Sequence, residues 1–274
     1  MTWNACSLFH KFTELELILN LNNVAAAMIQ ETWLTGDRTV YLQNYNIIRR
    51  DRPNGVAHGG VAILVHKNLN FIPYPLPDTG EVEAIAVKII PSNLIILSVY
   101  WPPSVRITDD VLNKLFCRRQ PFLAGLDINA KHRSWNNHSY NRNGMTLRRH
   151  ADQAVYDLIY LPTFTHFQPN SLPSTLDLFI TNWAAKLQPE VVNDLQSDHR
   201  PVLLITPPSS SRSTNFTSSV LATDWDNYRA NTSKIPLRTN LSSQTDIDHA
   251  ILDLNSSLKI CFRKSCQLVP SIRS

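Results

Sequence analysis

Glycine is scarce in this chain: 7 residues of 274, where about 7% of positions would be ordinary. Some tight turns must therefore manage without the residue that forms them most easily. No apolar stretch approaches the ~20 residues a membrane-spanning helix requires; Asn93-to-Trp101, "NLIILSVYW", is far too short. The opening, "MTWNACSLFHKFTELELILN", lacks a basic lead followed by an apolar stretch and a small-residue cleavage site, so no secretory signal is read. The four cysteines, Cys6, Cys117, Cys261 and Cys266, are scattered and have no zinc-type partners. They read as reduced thiols of an intracellular protein, and acceptor triplets such as Asn215-Phe216-Thr217 then carry no weight. Charge of one sign is also limited. A net charge of +4 permits a polyanionic partner without demanding one.

What is present is a dense alternation of apolar runs up to Thr206. "TWNAC", "VAAAMI", "YNIIRR", "GGVAILVH", "EVEAIAVKII", "NLIILSVY", "PFLAGLD", "STLDLFIT" and "RPVLLIT" read as strands, rich in Val and Ile and bounded by Gly, Pro and Asn. Helices are expected over "SLFHKFTELELILN", where Leu8, Phe12, Leu15 and Leu19 fall at helical spacing, over "TDDVLNKLFCRR" behind the N-cap Thr108, and over "GMTLRRHADQAVYDLI". Several strand-to-strand gaps are too short for a helical crossover, which excludes a doubly wound sheet. The pattern predicts an α/β protein of the α+β type. Two mixed sheets pack face to face with helices outside, in four layers. Residues 1–206 form this domain. Residues 207–223, rich in Ser, Thr and Pro, read as a linker, and 224–274 as a helical tail, too small and polar for a core of its own and weakly ordered unless docked.

Polar residues gather at strand ends. Asp127 and Asn129 close "PFLAGLD", and alternate side chains on a strand face one way. Asn4 closes "TWNAC", Glu31 follows "VAAAMIQ", and Ser197-Asp198-His199 precedes "RPVLLI". Asp177 lies inside "STLDLFIT", where a lone carboxylate is costly; His199 is the natural partner. This set suits phosphodiester hydrolysis. Hard carboxylate oxygens hold Mg²⁺, with Mn²⁺ as a substitute. The metal neutralises charge at the phosphorus centre, an oriented imidazole exchanges protons, and amides hold phosphate or water in line.

These residues resemble the exonuclease–endonuclease–phosphatase (deoxyribonuclease-I-like) superfamily, and more closely the endonuclease domain of jockey-type non-LTR retrotransposons. The resemblance rests on Asn4, "ETWL" (31–34), "GGVAILV" (59–65), "VYWPP" (99–103), "DINAKHRSW" (127–135), "NRNGMTL" (141–147), "PT" (162–163), "STLDL" (174–178) and "SDHRPV" (197–202), in that order. It implies that Glu31 is the main metal ligand. Asp198 would stand near a second metal position and Asn4 beside the metal or phosphate. Asp127 would position or deprotonate the attacking water, with Asn129 on water or phosphate. His199, paired with Asp177, would face the scissile phosphate, and Tyr100 would stand near the leaving group. The partner would be duplex DNA, with a reverse transcriptase domain of the same element following, and the compartment the nucleus. Lys131, His132, Arg133 and Arg200 are the candidate DNA contacts, positioning the backbone rather than reading sequence.

Plainer readings exist for single features. An Asp-x-Asn is usually a turn, Trp33 and Trp135 read as loop packing, and His58, His66 and His138 as surface or loop histidines. Other activities also fit the fold: a small-molecule or lipid phosphoesterase, or a catalytically impaired DNA-binding remnant. The remnant reading draws on Leu126, which stands where the family usually has Gly before the catalytic Asp, and on the short strand before Asn4 in a chain opening at Met1 and ending before any reverse transcriptase.

Overall fold

The computed structural model describes residues 1–206, apart from 37, 53–57, 184, 186 and 193–194, and residues 219–270, apart from 238 and 240. They form two compact units, Met1–Pro208 and Ser209–Ser274. In chain order the first unit contains β1 (Thr2–Asn4), α1 (Phe12–Leu21), β2 (Ala26–Gln30), β3 (Tyr45–Arg50), β4 (Val61–His66), β5 (Asn70–Pro73), β6 (Glu83–Ile90) and β7 (Ile95–Tyr100). There follow α2 (Asp109–Phe116), β8 (Phe122–Asp127), α3 (Arg142–Gln153), β9 (Asp157–Ile159), β10 (Asp177–Thr181), β11 (Gln188–Val191) and β12 (Val202–Ile205).

Two six-stranded sheets result, in the orders β11-β12-β1-β2-β4-β3 and β5-β6-β7-β8-β10-β9. Each is mixed, with one parallel pair, β1/β2 in the first and β7/β8 in the second. Three apolar layers hold them together. Met28, Ile63, Val87, Ile96 and Phe179 fill the space between the sheets. Leu15, Ile18 and Leu19 of α1 cover the outer face of the first sheet. Leu112, Leu115 and Phe116 of α2, at i, i+3 and i+4, cover the second together with Leu147 of α3. This is the four-layer sandwich expected from the sequence.

Period-two alternation along β8 decides much of the site. Leu126 is fully buried among the outer core residues, so its bulk lies on the face away from Asp127. Gly125 faces the other sheet, where an added Cβ would stand 2.7 Å from Thr2 Oγ1 and 2.9 Å from Met28 Sδ. The glycine lets the sheets close, and the buried Gln30 side chain then bonds across them to Ser98 Oγ and the Gly125 carbonyl, both at 3.1 Å.

Two local expectations are corrected. The helix expected to run through Ile159 ends at Gln153, and Asp157–Ile159 instead pairs with β10 as an edge strand. A tertiary partner for the open edge of β10 outweighs helical propensity there. The short edge strands β5 and β11 carry too few apolar residues to be read from pattern alone. In the second unit, β13 (Ser219–Thr223) pairs antiparallel with β14 (Cys266–Pro270), and α4 (Trp225–Thr232) and α5 (Gln244–Ser265) lie between them in sequence. Most of the segment read as linker, 207–218, lies outside the described residues; 219–223 is strand. Among the described residues no helix is long and apolar enough to cross a membrane.

Candidate active site

The parallel pairs β1/β2 and β7/β8 end on the same rim of the sandwich, and β10 and β12 begin there. Register places Tyr100 and Asp177 as the two cross-strand neighbours of Asp127. Opposed residues share a face, so two carboxylates meet side by side. His199 resolves the conflict. Its Nδ1 lies 2.9 and 3.1 Å from the two oxygens of Asp177, and its Nε2 lies 3.9 Å from Asp127 Oδ2. Trp3 Nε1 donates to the His199 carbonyl at 3.1 Å and Ser197 Oγ accepts from its backbone N–H at 3.1 Å, which fixes the loop entering β12.

Asn4 ties the two sheets together at this rim. Its Nδ2 donates to Glu31 Oε1 at 3.0 Å and to Asp127 Oδ2 at 2.7 Å. Its Oδ1 accepts the Cys6 backbone N–H at 2.9 Å. The amide therefore turns its donor side to the two carboxylates of the cleft. Glu31 sits at φ +48°, a backbone conformation uncommon outside glycine and worth about 1–3 kcal/mol of strain. Trp33 Nε1 donates to Glu31 Oε2 at 3.1 Å, so this tryptophan, read as loop packing, also orients a site carboxylate.

Asn129, likewise at positive φ, has its side-chain nitrogen on the Trp101 carbonyl at 3.1 Å. Asn141 locks the loop that follows. It caps α3 by accepting from Gly144 N at 2.7 Å, accepts from Lys131 N at 2.9 Å, and donates to the Asn129 carbonyl at 2.8 Å. Gly144 is required by this approach, because a Cβ there would lie 1.9 Å from the Lys131 carbonyl oxygen.

The cleft has a volume of about 450 Å³ and is lined by Asn4, Glu31, Tyr100, Asp127, Asn129, Lys131, Asp198 and His199 among others. His166, not singled out in the sequence, also lines it. This imidazole is buried, with Nδ1 3.1 Å from Ser174 Oγ and Nε2 3.6 Å from Asp198 Oδ2. The other candidate DNA contacts are spread out. Arg133 is exposed and lies over the Tyr140 ring, and Arg200 lies over Phe167. His132 packs against Trp135 and bonds Ser134 Oγ at 2.6 Å. Burial, then Arg148, pushes its pKa down.

Burial pushes the Asp127 carboxyl well above the usual range, opposed by His199 and reinforced by Asp177. Burial alone would lower His199, but Asp177 and Asp127 outweigh it and raise the imidazole. Asp198 is held down at about 2, first by its bond to His166 and against the effect of burial. Burial and the nearby Glu31 raise the Tyr100 phenol, so it stays a hydrogen-bond donor. The donor set fits a hard divalent cation. Glu31 and Asp127 present carboxylate oxygens to one amide, each with lone pairs left over.

Comparison with known proteins bears on the fold and on sequence similarity. Residues 94–203 match the family described as endonuclease-reverse transcriptase. The chain is 27% identical over 275 residues to the RNA-directed DNA polymerase from mobile element jockey of Drosophila funebris, covering 94% of this chain and 29% of that protein. It is 29% identical over 210 residues to the jockey polymerase of Drosophila melanogaster, covering 74% and 23%. The chain thus spans less than a third of the length of these curated relatives. Among solved structures, the endonuclease domain of TRAS1, a telomere-specific non-LTR retrotransposon, shares the fold with a TM-score of 0.59 at 17% identity, covering 76% of this chain and 97% of that one. The class is therefore the deoxyribonuclease-I-like sandwich with its cleft at the strand ends. Within it, the chain is similar in sequence to the jockey polymerases and in fold to the TRAS1 endonuclease domain.

Proposed function

We propose that this domain is a divalent-metal-dependent DNA endonuclease that nicks one strand of duplex DNA, leaving a 3′-hydroxyl from which a reverse transcriptase domain of the same element primes synthesis in the nucleus. The observation that supports it most is the convergence of Asn4, Glu31, Asp127, Asn129 and the Asp177–His199 pair on one rim. Residues separated by more than a hundred positions in sequence meet there in a polar cleft.

In this reading Glu31 holds Mg²⁺, or Mn²⁺, with Asp198 at the outer edge. The cation supplies charge neutralisation at the phosphate. Asp127 aligns the attacking water, its carboxylate steadied by Asn4. His199 keeps Nδ1 on Asp177 and turns Nε2 to the phosphate, where a protonated imidazole stabilises developing negative charge. Asn129 holds a phosphate oxygen or the water, and the Tyr100 hydroxyl stands by the leaving oxygen. Lys131, within the cleft, and Arg133 and Arg200, outside it, hold the DNA backbone.

Supercoiled plasmid incubated with Mg²⁺ should be converted to the relaxed form, chelator should stop the reaction, and Asp127→Ala or His199→Ala should abolish it. Equal relaxation by the variants would refute these roles.

A further inference from the structure

The cleft has two chemically different halves. Around Asn4, Glu31 and Asp127 the donors are oxygens. Beside them, His166, Asp198 and His199 each offer one ligand atom, and these atoms all lie within 4.8 Å of one another. Both imidazoles are buried, and their ring centroids are 4.4 Å apart. Each keeps Nδ1 on a protein partner, Ser174 Oγ for His166 and Asp177 for His199. Nε2 then faces a carboxylate, Asp198 at 3.6 Å for His166 and Asp127 at 3.9 Å for His199, and is the nitrogen that would exchange its proton for a metal. Histidines that bind metals are oriented by just such an outer hydrogen bond, which fixes the tautomer and raises ligand basicity. The third donor, Asp198, faces His166 Nε2 at 3.6 Å. Two imidazoles and a carboxylate with an open side form the donor set of a three-ligand zinc site. Such nitrogen-rich sites favour late first-row dications, whereas Mg²⁺ takes oxygen.

We propose that His166, Asp198 and His199 form a second metal site, selective for Zn²⁺ and similar transition-metal dications over Mg²⁺. Its occupancy inhibits the domain by drawing His199 Nε2 away from the phosphate. The site stands on geometry alone; the inhibition rests on the endonuclease reading above. His166 is its distinguishing ligand, because that reading gives it no part in the reaction.

Titration calorimetry of the full chain with Zn²⁺, in the absence and presence of excess Mg²⁺, tests the site without any activity measurement. Co²⁺ serves as an optical stand-in, its visible absorption reporting nitrogen coordination. The expected result is one Zn²⁺ per chain, not displaced by Mg²⁺. Ser174→Ala should weaken binding ~10-fold or more, the usual effect of losing an outer partner, and His166→Gln should weaken it further. A thermal melt of each variant establishes that it is folded, and Ser174→Ala carries the test if His166→Gln is not. Unchanged Zn²⁺ affinity in both folded variants overturns the site. In the plasmid assay Zn²⁺ should inhibit Mg²⁺-supported nicking, and whatever nicking His166→Gln retains should resist Zn²⁺. Binding without inhibition overturns the regulatory half. A protein that nicks under no condition overturns the endonuclease reading, while Zn²⁺ binding that depends on His166 still supports the site.

Discussion

The two ends of the sandwich are built from the same strands and hold cavities of similar size, yet they are chemical opposites. The cleft of about 450 Å³ lies where β1, β2, β7 and β8 end. The other, about 490 Å³, lies where β2, β7 and β8 begin, and it is lined by Met28, Leu69, Ile89, Ile96 and Leu123 among others. Strand direction explains the difference. The parallel pairs send their C-terminal ends to one rim, where the chain leaves the sheets in loops carrying polar side chains and positive-φ residues such as Glu31 and Asn129. The opposite end is lined mostly by apolar side chains, with Asn22, Asn23, Glu190 and Thr206 among them. Chemistry and stability are thus divided between the ends, and substitutions should separate them.

The largest effects belong to the polar rim. Asp127→Ala and His199→Ala should each slow nicking by ~10²–10⁴-fold or more, while circular dichroism stays that of a folded protein. At the apolar end the reverse should hold. Leu123→Ala should lower the unfolding free energy by about 2–4 kcal/mol and leave nicking by the folded fraction intact. Loss of activity in step with Asp127→Ala would mean that the two ends are not independent.

Gly144→Ala drives a methyl into the Lys131 carbonyl and should cost about 1–3 kcal/mol. Because that contact holds the Asn129–Lys131 loop, it should also reduce nicking, and urea titration alongside the plasmid assay would measure both. Asn141→Ala removes the α3 cap and should cost about 1 kcal/mol, with a smaller fall in activity.

A separate effect is on pH dependence. His199 has a raised folded pKa, so its contribution to stability is complete below its unfolded value of about 6.5. It is lost as pH rises through about 10. The urea midpoint of the wild-type protein should therefore fall between pH 7 and 10 more steeply than that of His199→Gln. Parallel slopes would show that Asp177 and Asp127 do not hold the imidazolium.

Much of the site was legible before any coordinates. A carboxylate inside "STLDLFIT" demanded a partner, and Asp177 meets His199; strand-end Asp127, Asn4 and Glu31 were visible as polar interruptions of apolar runs. His166 was not visible, because "FTHFQP" has no strand periodicity and a lone histidine there looks like any loop residue. The role of Asn141 was hidden for a related reason. The motif "NRNG" could be noted, but only the fold shows that Asn141 caps α3 and holds Lys131 with the same oxygen. The donor orientation of Asn4 depended on which side of its amide met Cys6, which no spacing encodes.

Local pattern alone determined the alternation of buried and exposed residues, the helix caps and the order of the motifs, since period and capping act over a few residues. Tertiary structure decided the register that sets Asp127 between Tyr100 and Asp177, the approach of the sheets over Gly125, and the meeting of Asn4 with a carboxylate 123 residues away. Those are contacts between distant strands, and their geometry exists only once both sheets have closed over a common core.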